Sequence, residues 1–102
     1  MIRTLKEAAD RNRAIGHHWF DADTMRFFKT RIVSFYPRTW GACMVTSEKG
    51  PDMVRAYSVR RVLDTGEVDT VGPFQGYATA KAAQKAAQAY VHATFVHGLI
   101  EG

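Results

Sequence analysis

The sequence predicts an α+β domain in which a four-stranded antiparallel β-meander carries helices on one face. Three observations predict it: a capping box near the start, alternating apolar segments between residues 30 and 71, and an alanine-rich segment near the end. At 102 residues, the chain has a common size for one domain. We therefore predict a single domain, residues 1–102, whose second sheet face is at least partly open to solvent.

The N-terminal segment predicts two helices ahead of the sheet. Thr4 and Glu7 have the spacing of a capping box, and Gly16 ends the helix that they open. Asp21 opens a second helix of one or two turns. Four large aromatic side chains lie within ten residues, and we expect most of them to pack into the core: Trp19, Phe20, Phe27 and Phe28.

The middle of the chain predicts four strands joined by tight turns. Apolar and polar residues alternate over residues 30–36, 40–47, 54–63 and 68–71. Gly50 and Pro51 mark a loop between the second and third strands. Gly66 supplies the positive φ that the last hairpin turn needs. Because each strand follows the last across a short turn, the pattern predicts a meander.

The C-terminal segment predicts a long helix between Thr79 as N-cap and Gly98 as stop. One face is apolar and should lie on the sheet: Ala83, Ala86, Ala87, Tyr90, Val91, Thr94 and Phe95. The opposite face is polar and should meet solvent: Lys81, Gln84, Lys85, Gln88 and His92. Since alanine carries little bulk, the helix is expected to lie close against the strands.

Composition and charge bound the class of protein. The net charge of +4 permits contact with nucleic acid or with an acidic protein surface, and it excludes a polyanionic DNA mimic. The single cysteine, Cys43, excludes an internal disulfide and suits a reducing compartment. No signal peptide or membrane span is recognisable. We expect a cytoplasmic protein with no membrane partner.

The residues predict neither catalysis nor a bound metal or cofactor. His17, His18, Asp21 and Asp23 are ligand types, but adjacent histidines rarely converge on one ion and both aspartates have a simpler role at a helix start. Cys43 lies within a predicted strand without a local activating partner. No phosphate-binding glycine loop, paired-carboxylate pattern or serine elbow is present. We therefore predict a protein that is not an enzyme.

Basic residues interleaved with aromatic residues are the strongest functional signal. They occupy residues 26–31 and 55–61, where guanidinium groups on an open sheet face would meet phosphates or an acidic protein. Strand alternation directs Arg55 and Arg61 to one face and Arg60 to the other. The predicted partner-binding residues are Arg31, Arg55, Arg60 and Arg61, with Tyr57 as an aromatic anchor.

Two resemblances suggest nucleic-acid binding. Gly76 followed by residues 79–87 resembles the last part of a double-stranded-RNA-binding domain, and this implies that Lys81 and Lys85 contact phosphates. The doubled lysine of that family and its hairpin histidine are absent here. Residues 57–60 and 64–66, with Phe74 and Thr79, are similar to the three-stranded DNA-reading arm of phage-type integrases.

A third resemblance covers most of the chain. Residues 12–20, 23–28, 45–49 and 69–77 resemble a family of small uncharacterised proteins carried by bacteriophages and prophages. It implies a protein that inhibits a host nucleic-acid-targeting defence complex, as anti-CRISPR proteins do, by occluding a surface in the bacterial cytoplasm. We expect the partner to be a host protein or ribonucleoprotein complex. We expect the protein itself to be a monomer or a homodimer. The alternative is direct DNA or RNA binding through the basic sheet face or through Lys81 and Lys85.

Overall fold

The computed structural model describes residues 2–97, with side chains through residue 93. Its elements are α1 (Leu5–Ala14), α2 (Ala22–Phe27), β1 (Arg31–Arg38), β2 (Gly41–Lys49), β3 (Arg55–Leu63), β4 (Val68–Val71) and α3 (Ala80–His97). The predicted α+β class and element order are confirmed. The predicted helix stop at Gly98 lies outside the described residues.

The four strands form one antiparallel sheet in the order β1-β2-β3-β4, as the meander predicts. Tight turns join β1 to β2 and β3 to β4, and a five-residue loop, 50–54, joins β2 to β3. The register shifts once between β1 and β2, at a bulge around Val33. Because side chains alternate along every strand, this register decides which residues share a face.

One face of the sheet is covered by α3. Thr79 caps the helix, since its Oγ1 accepts a hydrogen bond from the Ala82 amide at 3.2 Å. The apolar stripe of α3 packs on small and branched residues of β2 and β3; the buried members of this cluster are Cys43, Val45, Val59, Ala83, Ala87 and Val91. Ala86 and Tyr90 are half-buried, and the side chains of Thr94 and Phe95 lie outside the description.

The opposite face of the sheet is also covered, which corrects the expectation of an open face. Ala8 of α1 and Ile2 pack there on β2 and β3, while Trp19 and Phe20 close the cluster from the loop between α1 and α2. Ala42, Met44 and Val62 are fully buried beneath them. We call this the N-terminal face. The sequence did not predict this second covering layer. Alternation along a strand looks similar whether its more polar face meets solvent or meets a helix of modest apolar content.

Contacts to the β3–β4 turn fix α1 on that face. Asn12 donates to the Gly66 carbonyl at 2.8 Å, and Arg11 donates to the Asp64 carbonyl at 2.8 Å. Gly66 has φ of +106°, and a Cβ there would lie 2.5 Å from the Arg11 carbonyl oxygen. Glycine therefore serves both the turn and the close approach of the helix.

The aromatic residues of α2 differ from expectation. Trp19 and Phe20 pack into the core as predicted, but Phe27 is 80% exposed and Phe28 54% exposed. The physical reason is that α2 has only six residues and buries none of them fully, so Phe27 and its C-cap residue Phe28 stay largely exposed. Within residues 2–97, no helix combines the length and apolar character that crossing a membrane requires.

Candidate functional site

Two of the predicted binding residues come together at one end of the sheet. Arg31, at the start of β1, and Arg55, at the start of β3, line a cavity of about 310 Å³. Three further cations line it, so that five of its seven lining residues are basic and none is acidic: Arg26, Lys29, Arg31, Lys49 and Arg55. We call it the basic cavity.

The ends of three strands and the end of α2 position these cations. Lys49 and Arg55 are cross-strand partners where β2 and β3 meet the 50–54 loop. Arg55 Nη1 donates to Ser47 Oγ at 2.7 Å and to the Lys29 carbonyl at 3.2 Å, which ties the segment after α2 to the sheet. Arg55 is thus held by backbone and hydroxyl acceptors, and Arg26 is paired with Asp23 at 3.2 Å. The remaining like charges in the cavity favour an anionic ligand.

Arg60 lies in the interior, on the N-terminal face, with only 8% of its surface exposed. Its Nη2 contacts Glu48 Oε1 at 2.8 Å, its Nε donates to Thr46 Oγ1 at 3.2 Å, and its Nη1 donates to Thr70 Oγ1. Arg60 is therefore committed to a buried ion pair and does not join Arg31 and Arg55 on an accessible surface.

A second cavity, of about 190 Å³, opens above this ion pair. Trp19, Phe28 and Phe74 line it together with Glu48 and Arg60, and we call it the aromatic cavity. The Arg60 guanidinium carbon lies 5.6 Å from the Trp19 ring centroid and 5.1 Å from that of Phe74, within the range of cation–π attraction. The site is assembled from the α1–α2 loop, the segment after α2, the β4–α3 loop and strands β2 and β3.

Left-handed backbone at three non-glycine residues borders the two cavities. Lys29 has φ of 52° and lines the basic cavity, while Met53 has φ of 62° and its sulfur lies 4.0 Å from Lys29 Nζ. Gln75, with φ of 53°, follows Phe74, and its amide donates to Ser58 Oγ at 2.7 Å. Such conformations are uncommon and tend to mark functional loops.

The remaining predicted residues lie elsewhere. Arg61 is on the α3 face, paired with Asp69, and its hydrogen bond to that carboxylate raises the pKa of Arg61. Tyr57 is half-buried against the α3 cluster, and its backbone pairs with Tyr77. Lys81 and Lys85 are exposed on α3. The predicted set is therefore spread over four places and does not form one site.

The cysteine and histidine singled out in the sequence lie in different surroundings. Burial raises the pKa of the Cys43 thiol to about 12, so a thiolate is not populated at neutral pH. His18 Nδ1 contacts Asp21 Oδ2 at 2.9 Å. In the part of the chain that the structure describes, no three histidine, cysteine, aspartate or glutamate side chains cluster to hold a metal.

The sequence contained part of the signal for both cavities. The 26–31 segment marked Arg26 and Lys29, but Lys49 was missed because only its antiparallel pairing with Arg55 brings it to the basic cavity. Glu48 and Phe74 were also missed. Glu48 falls at an inward position of β2, and a carboxylate at such a position is a signal that its partner is buried with it.

Comparison with known proteins gives a family but no activity. The family model that matches is a family of unknown function, DUF7447, over residues 4–88. The match spans α1, the whole sheet and the start of α3, and the chain belongs to this family. Neither the curated proteins nor the solved structures contain a match to this chain. The resemblances to phage proteins, RNA-binding domains and integrases remain predictions.

Proposed function

We propose that this protein is a non-catalytic binding protein that contacts the phosphate backbone of a nucleic acid through the basic cavity. One observation carries the proposal: five cations from α2, the segment after it and three strands surround a single cavity without an acidic lining residue. The cavity is open and Arg31 and Lys49 are exposed, so a backbone can reach them. Phosphate contacts of this kind supply most sequence-independent affinity for nucleic acid.

The test is the salt dependence of binding to random-sequence single-stranded and duplex oligonucleotides, with binding measured by fluorescence anisotropy. About four phosphate contacts at a slope of roughly 0.7 each predict that affinity for a single strand falls about 50-fold from about 50 to about 200 mM salt. The variant Arg31→Gln/Lys49→Gln should lower that slope by about 1.4, because two contacts are removed.

Lys81→Gln/Lys85→Gln is the matched control. It removes the same charge from two exposed positions on α3, outside the basic cavity. We expect an unchanged slope. A larger loss in this control than in Arg31→Gln/Lys49→Gln would favour the resemblance to RNA-binding domains and reject the basic cavity. Absence of binding at low salt in the unsubstituted protein would reject the nucleic-acid proposal altogether.

A second candidate is an inhibitor of a host nucleic-acid-targeting defence complex of the anti-CRISPR type, acting in the bacterial cytoplasm. Exposed apolar side chains beside the basic cavity favour it: Phe27 is 80%, Met53 54% and Val54 61% exposed. Apolar residues flanked by arginine are typical of protein interfaces. A complex with an apolar centre should persist at high salt. The Phe27→Ser/Met53→Ser variant should no longer form it. Pull-down from the host followed by mass spectrometry measures both.

A further inference from the structure

The Glu48 carboxylate is buried with one oxygen left without a protein partner. Only 6% of its side chain is exposed. Oε1 accepts from Thr46 Oγ1 at 3.0 Å and from Arg60 Nη2 at 2.8 Å, whereas Oε2 has no hydrogen-bond partner among the described residues. A buried acceptor without a donor is costly and rare in proteins. Glu48 lines the aromatic cavity, so a donor seated there would lie beside this carboxylate, and a small shift of the side chain would bring the buried Oε2 within its reach.

The charges around Glu48 define the kind of donor. Arg60 already balances the carboxylate at 2.8 Å, so the pair is neutral as a whole. A cationic ligand would meet the guanidinium as well as the carboxylate and would gain little. A neutral N–H donor has no such conflict. The site therefore favours an amino or amide N–H group over an ammonium group or a metal ion.

The walls of the aromatic cavity define the shape of the ligand. Trp19 and Phe28 line it, and Phe74 is 60% exposed beside the Arg60 guanidinium. Aromatic rings of this kind stack on flat heteroaromatic groups. A volume of about 190 Å³ is below the range of about 300–1,000 Å³ usual for whole-ligand pockets, so it suits one ring system.

The aromatic cavity adjoins the basic cavity. Thr30 lines both, and the segment after α2 contributes Phe28 to the aromatic cavity and Lys29 to the basic cavity. A base seated against Glu48 would thus have its phosphates near a cluster of cations. Proteins that bind single strands combine these two elements, a basic groove and aromatic platforms for bases.

We propose that the aromatic cavity binds one unpaired nucleobase, which stacks on the aromatic walls and donates its amino N–H to Glu48 Oε2. The inference rests on the proposed function and adds that the preferred partner is single-stranded, with amino-bearing bases favoured. Cytosine is well suited, because carboxylates accept from its N4 amino group. Thymine is poorly suited, since its one ring N–H lies between two carbonyl oxygens that would face the carboxylate.

The experiment compares three single strands of about twelve nucleotides, a length typical of such sites: oligo-dC, oligo-dT and an abasic strand. Trp40 packs with Tyr90 on the α3 face, so the Trp40→Phe variant leaves Trp19 as the sole tryptophan reporter. We expect oligo-dC to bind about tenfold more tightly than oligo-dT and to quench Trp19. The abasic strand should bind more weakly still and leave the fluorescence unchanged.

Two variants in the same background locate the base. Phe74→Ala, at an exposed position, should weaken oligo-dC binding about tenfold, while Ile15→Ala, at an exposed position outside both cavities, should not. Glu48→Gln can place an N–H donor where Oε2 lies, and should remove or reverse the preference for oligo-dC over oligo-dT. If Glu48→Gln does not fold, the affinity of Phe74→Ala and the binding of the abasic strand still test whether a base occupies the cavity.

The outcomes separate this inference from the proposed function. Equal, salt-sensitive affinity for all three strands would overturn the base site and leave phosphate binding standing. Tighter binding to duplex than to single strands would likewise overturn it. No binding to any strand at low salt would reject both.

Discussion

The two faces of the sheet are covered in different ways. Under α3, β2 and β3 present Cys43, Val45 and Val59 to the alanines of the helix, and the fully buried centre of this contact is apolar. On the N-terminal face the same two strands bury Met44 and Val62 and, beside them, the Glu48–Arg60 ion pair. Close packing explains the first face. It does not explain the polar half of the second.

The polar half is costly as structure alone. A buried ion pair is often no more stabilising than an apolar pair of the same volume, because desolvation offsets the attraction between the charges. Here one carboxylate oxygen also lacks a partner among the described residues, and so does Arg61 Nε on the α3 face. The buried ion pair is therefore what distinguishes the N-terminal face, and the base site proposed above would make use of it.

Among variants that disturb one of the two faces, we expect Glu48→Ala to change stability the most. Removal of the carboxylate leaves the Arg60 guanidinium buried and unpaired, and should lower the free energy of unfolding by about 3–5 kcal/mol. Urea denaturation measures it. The double variant Glu48→Leu/Arg60→Met should recover most of the loss, because it removes both charges. A double variant as unstable as the single one would show that the ion pair holds the face together.

A smaller effect is expected from overpacking the α3 face. Ala87 is fully buried against the sheet, and Ala87→Leu should lower the free energy of unfolding by about 1–3 kcal/mol as the helix is forced outward. Ala82→Leu, on the exposed side of α3, is the matched control and should change little. Thermal or urea unfolding of the two variants measures the difference in stability. Equal tolerance at both positions would mean that α3 does not lie close on the strands.

The smallest effect expected is a pH dependence on the N-terminal side. Burial raises the pKa of Asp64, but the Arg11 charge and the Ile2 amide outweigh it, so that its pKa is lowered from 3.8. A lowered folded pKa contributes stability above pH 3.8, which is lost as the pH falls through the folded value.

Because Asp64 and Arg11 are both about 40% exposed, screening limits the contribution to about 0.5 kcal/mol. Asp64→Asn should therefore flatten the fall in melting temperature below pH 3.8. The unsubstituted protein measured at the same pH values is the reference, and parallel curves would contradict the assignment.

The sequence predicted the elements well because short-range interactions produce them. The N-cap at Thr4, which accepts from the Glu7 amide, the turn at Gly66 and the cap at Thr79 all form as the spacing indicates. Each depends on atoms within a few residues of one another. The alternation that separates Arg60 from Arg55 and Arg61 likewise follows from strand geometry alone.

The candidate site was predicted only in part. Arg31 and Arg55 were identified from local pattern, and they do share a cavity. Lys49 joins them through strand pairing, and Glu48 and Phe74 meet Arg60 across β2, β3 and the loop before α3. Contacts between residues so far apart in the chain leave no periodic trace in the sequence, so their convergence could not be predicted.

The sequence by itself determined the order of the elements, their approximate bounds and the alternation of each strand, because backbone geometry and capping act locally. Only the tertiary structure decided that α1 and Trp19 cover the face opposite α3, and that Arg60 is buried. The physical reason is that a connecting loop can direct a helix to either face. The choice rests on contacts such as Asn12 with Gly66, which exist only once the sheet has formed.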